Sequence, residues 1–171
     1  MENTHQERTM KGKPLAILHV EDNSDHADLV ARTLINHCVA NDIKLVRDGQ
    51  AALDYLFHRG EFSDPQKSPR PMLVLLDLRL PKVDGLDVLS AIKSNDELSS
   101  IPVVVLTSSE AEVDLVRAYK HHANSYLVKP VGFEEFSKMM AQLGFYWLCW
   151  NRHPWKNGEE PAQNGDDSQV E

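Results

Sequence analysis

Residues 72–85 read MLVLLDLRLPKVDG. Five apolar residues, Met72 to Leu76, run up to a carboxylate, Asp77, and Pro71 and Pro81 bracket the run too tightly for a helix. A short, continuous apolar run of this kind is what a strand buried on both faces of a parallel sheet requires. Such a strand reaches solvent at its carboxyl end, where open α/β sheets bind their ligands. Asp77 is therefore the first candidate functional residue. From this stretch alone, a helix cap or a solvated strand-end carboxylate is an equal alternative, and the other strands decide between them.

Four more runs have the same build. Leu15 to Val20 ends on Glu21-Asp22, Ile43 to Val46 precedes Asp48-Gly49, Val103 to Leu106 ends on Thr107-Ser108-Ser109, and Ser125 to Val128 ends on Lys129-Pro130. Helical patterns lie between them. Asn23-Ser24-Asp25 supplies capping chemistry for a helix whose buried face is Ala27, Val30, Ala31, Leu34 and Ile35. A second helix runs through Ala51, Ala52, Leu53, Leu56 and Phe57, and residues 60–70, with two prolines, read as a surface loop. Leu86, Val88, Leu89 and Ile92 mark a third helix. Val113, Leu115, Val116 and Tyr119 are the apolar members of a fourth, over 110–123. The last helix, 133–148, has Phe133, Phe136, Met139, Met140 and Leu143 as its core-facing positions. Five strands alternating with five helices predict an α/β fold with a doubly wound parallel sheet. No internal repeat and no glycine-rich dinucleotide fingerprint is present.

The length, 171 residues, suggests one folded domain, 14–150, between a polar N-terminal arm, 1–13, and an acidic, disordered tail, 151–171. The formal charge is −8, and five acids beyond Asn157 leave the body near −3. That balance offers no basic patch for nucleic acid or a membrane surface. Cys38 and Cys149 have no metal or redox spacing and read as buried or half-buried free thiols of a reducing, cytoplasmic protein. No signal peptide or membrane-spanning run is visible.

Parallel strands bring Glu21, Asp22, Asp77, Thr107 and Lys129 to one edge of the sheet. Three carboxylates side by side repel, and a Mg²⁺ ion with its hard oxygen ligands is the natural compensation. An ammonium and a hydroxyl beside a carboxylate nucleophile complete the set that phosphoryl transfer needs. Pro130 is expected to fix Lys129 in a tight turn of the kind that is often cis. His121-His122 is a poor metal pair, because adjacent helical residues point in different directions.

The motifs VEDN (20–23), DLRLPKVDG (77–85), LTS (106–108) and SYLVKP (125–130) resemble those of the receiver domain of bacterial two-component response regulators. The resemblance spans 13–148. It implies a flavodoxin-like sheet of order 2-1-3-4-5 with Asp77 as phosphoacceptor from a sensor histidine kinase. It further implies Mg²⁺ held by Glu21, Asp22, Asp77 and the backbone carbonyl of Arg79. Thr107 and Lys129 would grip the phosphoryl group, and Tyr126 would turn inward when Thr107 moves. Arg79, Ser108 and Ser109 are placed to modulate its lifetime. The long loop before the third strand and the Phe-Tyr-Trp end of the last helix are similar to the small stand-alone regulators that partner bacterial phytochromes. Arg79 replaces a commonly shorter residue, His122 stands where glycine is usual, and Glu21 replaces the more frequent aspartate.

Such a protein is no enzyme beyond its own phosphotransfer and dephosphorylation. The alternatives are a phosphorylation-independent scaffold and an aspartate-nucleophile phosphatase of the haloacid-dehalogenase type. The phosphatase needs an acid where Arg79 stands. Output is expected through protein contacts. Phe145, Tyr146, Trp147, Leu148 and Trp150 exceed what one core can cover, which predicts a symmetric homodimer with the fourth-helix and fifth-strand face. Fold-back of Trp147 and Trp150 over the domain itself is the alternative.

Overall fold

Leu73 to Leu76 form the central strand β3, and all four residues are buried. The computed structural model describes residues 16–36 and 42–152. The expected N-terminal arm, Cys38 and the acidic tail from Asn157 lie outside the described residues. β3 pairs in parallel with β1 (Ala16–Val20) and β4 (Val103–Thr107), while β2 (Asp42–Val46) and β5 (Ser125–Val128) form the edges. The order is β2-β1-β3-β4-β5, the arrangement expected of the flavodoxin-like fold. The helices are α1 (Ser24–Asn36), α2 (Gly49–Leu56), α3 (Gly85–Lys93), α4 (Glu112–Lys120) and α5 (Phe133–Gly144). Among the described residues no helix is long and apolar enough to cross a membrane.

Side chains alternate across the sheet and fill two cores. Leu73, Leu75, Val104 and Leu106 join Val30 and Leu34 of α1 and Phe136, Met140 and Leu143 of α5. Val74, Leu76, Val103 and Val105 join Tyr55 and Leu56 of α2, Leu89 and Ile92 of α3, and Ala118 of α4. A strand buried on both faces has no solvent side, which is why β3 reads as a continuous apolar run.

Several expectations need correction. Ile35 and Phe133 are exposed, since each lies at a helix end that leaves the sheet. The 60–70 loop is not wholly superficial. A 3₁₀ turn, Gly60–Phe62, buries Phe62 edge-on to the Tyr55 ring at 5.3 Å. Helix α4 inverts the expected pattern: Val113, Leu115, Val116 and Tyr119 are exposed, and Asp114 and Ala118 are buried. One small alanine lets the helix approach the sheet, and polar partners draw Asp114 in. The aromatic end of α5 forms a π-helical turn, Phe145–Trp150. Leu148 is buried and Trp147 packs on the core, whereas Phe145, Tyr146 and Trp150 are exposed. Fold-back therefore describes Trp147 but not Trp150. Cys149 is exposed, and not buried or half-buried as expected. No peptide bond among the described residues is cis, so the turn after Lys129 is trans. His122, two residues past the end of α4, has φ +61°, the left-handed conformation that glycine adopts most cheaply.

The loop from Asp77 to α3 is pinned by close packing. Gly85 donates its N–H to the Leu78 carbonyl at 2.9 Å. A Cβ there would lie 2.2 Å from the Asp77 carbonyl oxygen and 2.6 Å from Leu78 Cα. Gly49 meets the loop equally closely, since its Cβ would lie 2.0 Å from the Val83 carbonyl oxygen. Asp48 and Asp84 cap α2 and α3 by accepting from the N–H groups of Ala51 and Leu86. Gly85→Ala is predicted to destabilise the protein by about 3 kcal/mol, because a rigid backbone must shift. Asp84→Ala should cost only about 1 kcal/mol through loss of the cap. Urea denaturation of the two variants checks the order, and equal midpoints would refute it.

Candidate functional site

The sheet ladder continues one residue beyond the strands, and this sets the site. Glu21 N–H donates to Val46 O (3.1 Å), Asp77 N–H to Val20 O (3.0 Å) and Lys129 N–H to Thr107 O (2.8 Å). The side chains of Glu21, Asp77 and Lys129 are thus brought together at the carboxyl edge. Lys129 Nζ donates to Glu21 Oε2 at 2.5 Å and to Asp77 Oδ2 at 2.6 Å, and lies 3.3 Å from His26 Nδ1. The side chains of Lys129, Glu21 and Asp77 are only 4, 1 and 7 % exposed. Burial pushes the Glu21 carboxyl up, and the bond from Lys129 opposes that rise. Asn23 N–H donates to the other Glu21 oxygen at 3.1 Å.

Asp22 is exposed and lines an open cleft together with Glu21, His26, Asp77, Arg79 and Ser108. One oxygen each from Glu21, Asp22 and Asp77 lie within 4.8 Å of one another. With Lys129 as the cation between them, three carboxylates retain two negative charges. Hard oxygen donors and open access to water fit a divalent cation.

Thr107 is fully buried, and its Oγ1 accepts the Ser109 N–H at 3.3 Å. The Tyr126 hydroxyl donates to the Ser109 carbonyl at 3.0 Å, and burial raises its pKa, so it stays a donor. Arg79 N–H donates to Asp77 Oδ1 at 3.2 Å, while its guanidinium turns away to Asp114 on α4 at 2.6 Å. The structure thus gathers every residue singled out at the strand ends and adds three. Asp114 was hidden because an acid among apolar helix positions reads as solvent-facing. His26 follows the acidic motif and stacks on Phe136 at 6.4 Å. His19, inside β1, is masked by the apolar run around it. Burial, and after it the Lys129 charge, lowers its pKa from 6.5 to about 3, so it stays neutral.

Three comparisons bear on this arrangement. The family model of the response regulator receiver domain matches residues 17–141. The chain belongs to the response regulator receiver family. A receiver relative, the response regulator Rcp1 of Synechocystis, is 42 % identical over 135 residues, covering 79 % of this chain and 90 % of Rcp1. FilR2 of Methanothrix harundinacea, described as a probable methanogenesis regulatory protein, is 50 % identical over 142 residues, covering 82 % of this chain and 88 % of FilR2. The crystal structure of Mn²⁺-bound Rcp1 superposes with a TM-score of 0.78 at 41 % identity, over 83 % of this chain and all of that one. The phosphorylated cyanobacterial phytochrome response regulator RcpA gives the same TM-score at 38 % identity, over 82 % and 98 % of the two chains. This receiver is thus similar to a response regulator of a phytochrome, as the long loop before the third strand and the Phe-Tyr-Trp end of the last helix implied.

A neutral, buried His19 makes stability depend on pH in a defined direction. Its folded pKa is depressed, so below pH 6.5 the unfolded chain binds the proton that the folded receiver refuses, and stability falls towards pH 3. The slope contributed is at most about 1.4 kcal/mol per pH unit. His19→Gln should flatten the fall in urea midpoints across that window, and identical slopes would show that His19 does not contribute.

Proposed function

We propose that this receiver accepts a phosphoryl group on Asp77 from the phosphohistidine of a sensor kinase and signals through protein contacts in the cytoplasm. The observation that carries the reading is the Asp77 carboxylate itself. It is held from one side by Lys129 and faces on the other a cleft open enough for a donor. A carboxylate oxygen of Asp77 attacks phosphorus, the O–P bond forms, and the P–N bond to the donor imidazole breaks. The imidazole leaves with a proton from solvent. Lys129, released from Asp77, stays on the phosphoryl oxygens, and the Thr107 hydroxyl donates to them once it has given up the Ser109 N–H. Tyr126 must then leave the Ser109 carbonyl.

Glu21, Asp22, Asp77 and the backbone carbonyl of Arg79 are the ligands we assign to Mg²⁺, which when bound neutralises the charge gathered on the transferred group. The Mn²⁺ in Rcp1 and the phosphorylation of RcpA support the site. Those two relatives also support a bacterial phytochrome as the kinase. Phosphotransfer from a bacterial phytochrome kinase to this chain tests that partner. A phosphatase would need a proton donor at position 79, where a guanidinium bound to Asp114 cannot serve. A scaffold indifferent to phosphate would have no use for a buried Lys129 between two acids.

Asp77→Asn should abolish labelling by acetyl phosphate, and Asp22→Ala should weaken divalent-cation binding by about ten-fold or more, since losing even an outer-shell partner costs that much. Labelling of the Asp77→Asn variant at the wild-type rate would remove Asp77 as acceptor. The homodimer we propose uses the exposed Phe145, Tyr146 and Trp150 with the outward apolar residues of α4. Sedimentation of the chain carrying Tyr146→Ser and Trp150→Ser should show monomer where wild type shows dimer. A wild-type monomer at tens of micromolar, phosphorylated or not, would end that assignment.

A further inference from the structure

Asp114 belongs to none of the strand-end motifs, yet it joins two of them. It stands in the first turn of α4, where an acid favours the helix dipole, but unlike most such acids it is buried. Its Oδ2 accepts from Arg79 Nη2 at 2.6 Å and from Ser109 Oγ at 2.7 Å. Arg79 lies two residues past Asp77 and Ser109 two past Thr107. The Arg79 side chain is 63 % exposed, so it can swing, while its backbone N–H is already bound to Asp77 Oδ1.

We propose that Asp114 is a positioning residue that holds Arg79 away from the acceptor in the unphosphorylated chain and competes with the phosphoryl group for it afterwards. The inference rests on Asp77 being the acceptor. A phosphoryl group offers the guanidinium nearly two charges and three acceptor oxygens in a geometry its fork matches, against one carboxylate. When Arg79 leaves, Asp114 remains buried with a single hydroxyl, and a buried charge without its partner is strongly unfavourable. The first turn of α4 must then move outward. Only Ala118 and Asp114 of α4 are buried, so little else resists. The exchange of one ion pair thereby carries the chemistry at Asp77 to the exposed apolar surface of α4.

The test is a double-mutant cycle of Asp114→Asn and Arg79→Gln in the full chain, phosphorylated with acetyl phosphate and Mg²⁺. Decay of the aspartyl phosphate and the NMR shifts of the α4 amides are followed together. Asp114→Asn should still label, slow the decay by about five-fold or more as Arg79 moves onto the phosphoryl group, and shift the α4 amides before any phosphorylation. The double variant should decay like Arg79→Gln alone, a coupling that a merely structural Asp114 would not show. A wild-type decay rate in Asp114→Asn, or the same slowing without Arg79, overturns the inference. Should Asp114→Asn not fold, Arg79→Gln alone decides, because its unphosphorylated α4 amides must move towards the phosphorylated wild-type positions. Unmoved amides overturn the inference. A wild type that labels while its variants behave identically removes only the role of Asp114. A wild type that never labels removes Asp77 as acceptor and this inference with it.

Discussion

The ammonium of Lys129 between the carboxylates of Glu21 and Asp77 is the interaction on which the rest depends. Removing three charged groups from water costs several kcal/mol each, and only their mutual geometry offsets it. That geometry comes from the backbone. Each residue follows a strand and is tied by its own N–H to a neighbouring chain segment, so the sheet, and not the side chains, sets the spacing. The apolar strands beneath provide the burial that makes the charges strong, and the incomplete neutralisation leaves a site that attracts further positive charge at its open side.

The same logic explains what could be read from sequence. Apolar runs that end on Glu21, Asp77, Thr107 and Lys129 are visible because a strand buried on both faces has one composition and an abrupt end. Sheet order and the gathering of these side chains both followed from that signal together with the family resemblance. Helix α4 misled because periodicity equates apolar with buried, whereas Asp114 is held by partners distant in sequence and Val113 and Tyr119 face outward. Phe133 misled for a simpler reason, since the helix begins before it settles on the sheet. His19 was invisible because a neutral histidine in a core is chemically quiet until its surroundings are known.

Rigidity is distributed unevenly around Asp77. On the α3 side, Gly49 and Gly85 let the loop after Asp77 pack backbone against backbone, with Asp48, Lys82 and Asp84 closing it through caps and an ion pair. On the α4 side, a helix with two buried residues is joined to the site by polar contacts alone. Segments with few buried apolar contacts are the ones that open at low free energy. A fixed wall and a yielding one flank the same carboxylate, and any change of charge there will be expressed on the yielding side.

The burial of the Lys129 triad and the exposure of Arg79 also divide the electrostatics of the molecule by their response to dissolved ions. At physiological ionic strength the screening length is about 8 Å, and it acts through solvent. The side chains of the triad are at most 7 % exposed, so salt weakens their attraction least. The Arg79–Asp114 pair has one partner in water and one out of it, so salt weakens it in part. The net charge of −8, most of it contributed by the five acids beyond Asn157, governs how a partner of either sign is met at a distance. Ionic strength therefore sets the rate of encounter and the looseness of α4, while acting least on the Asp77 carboxylate.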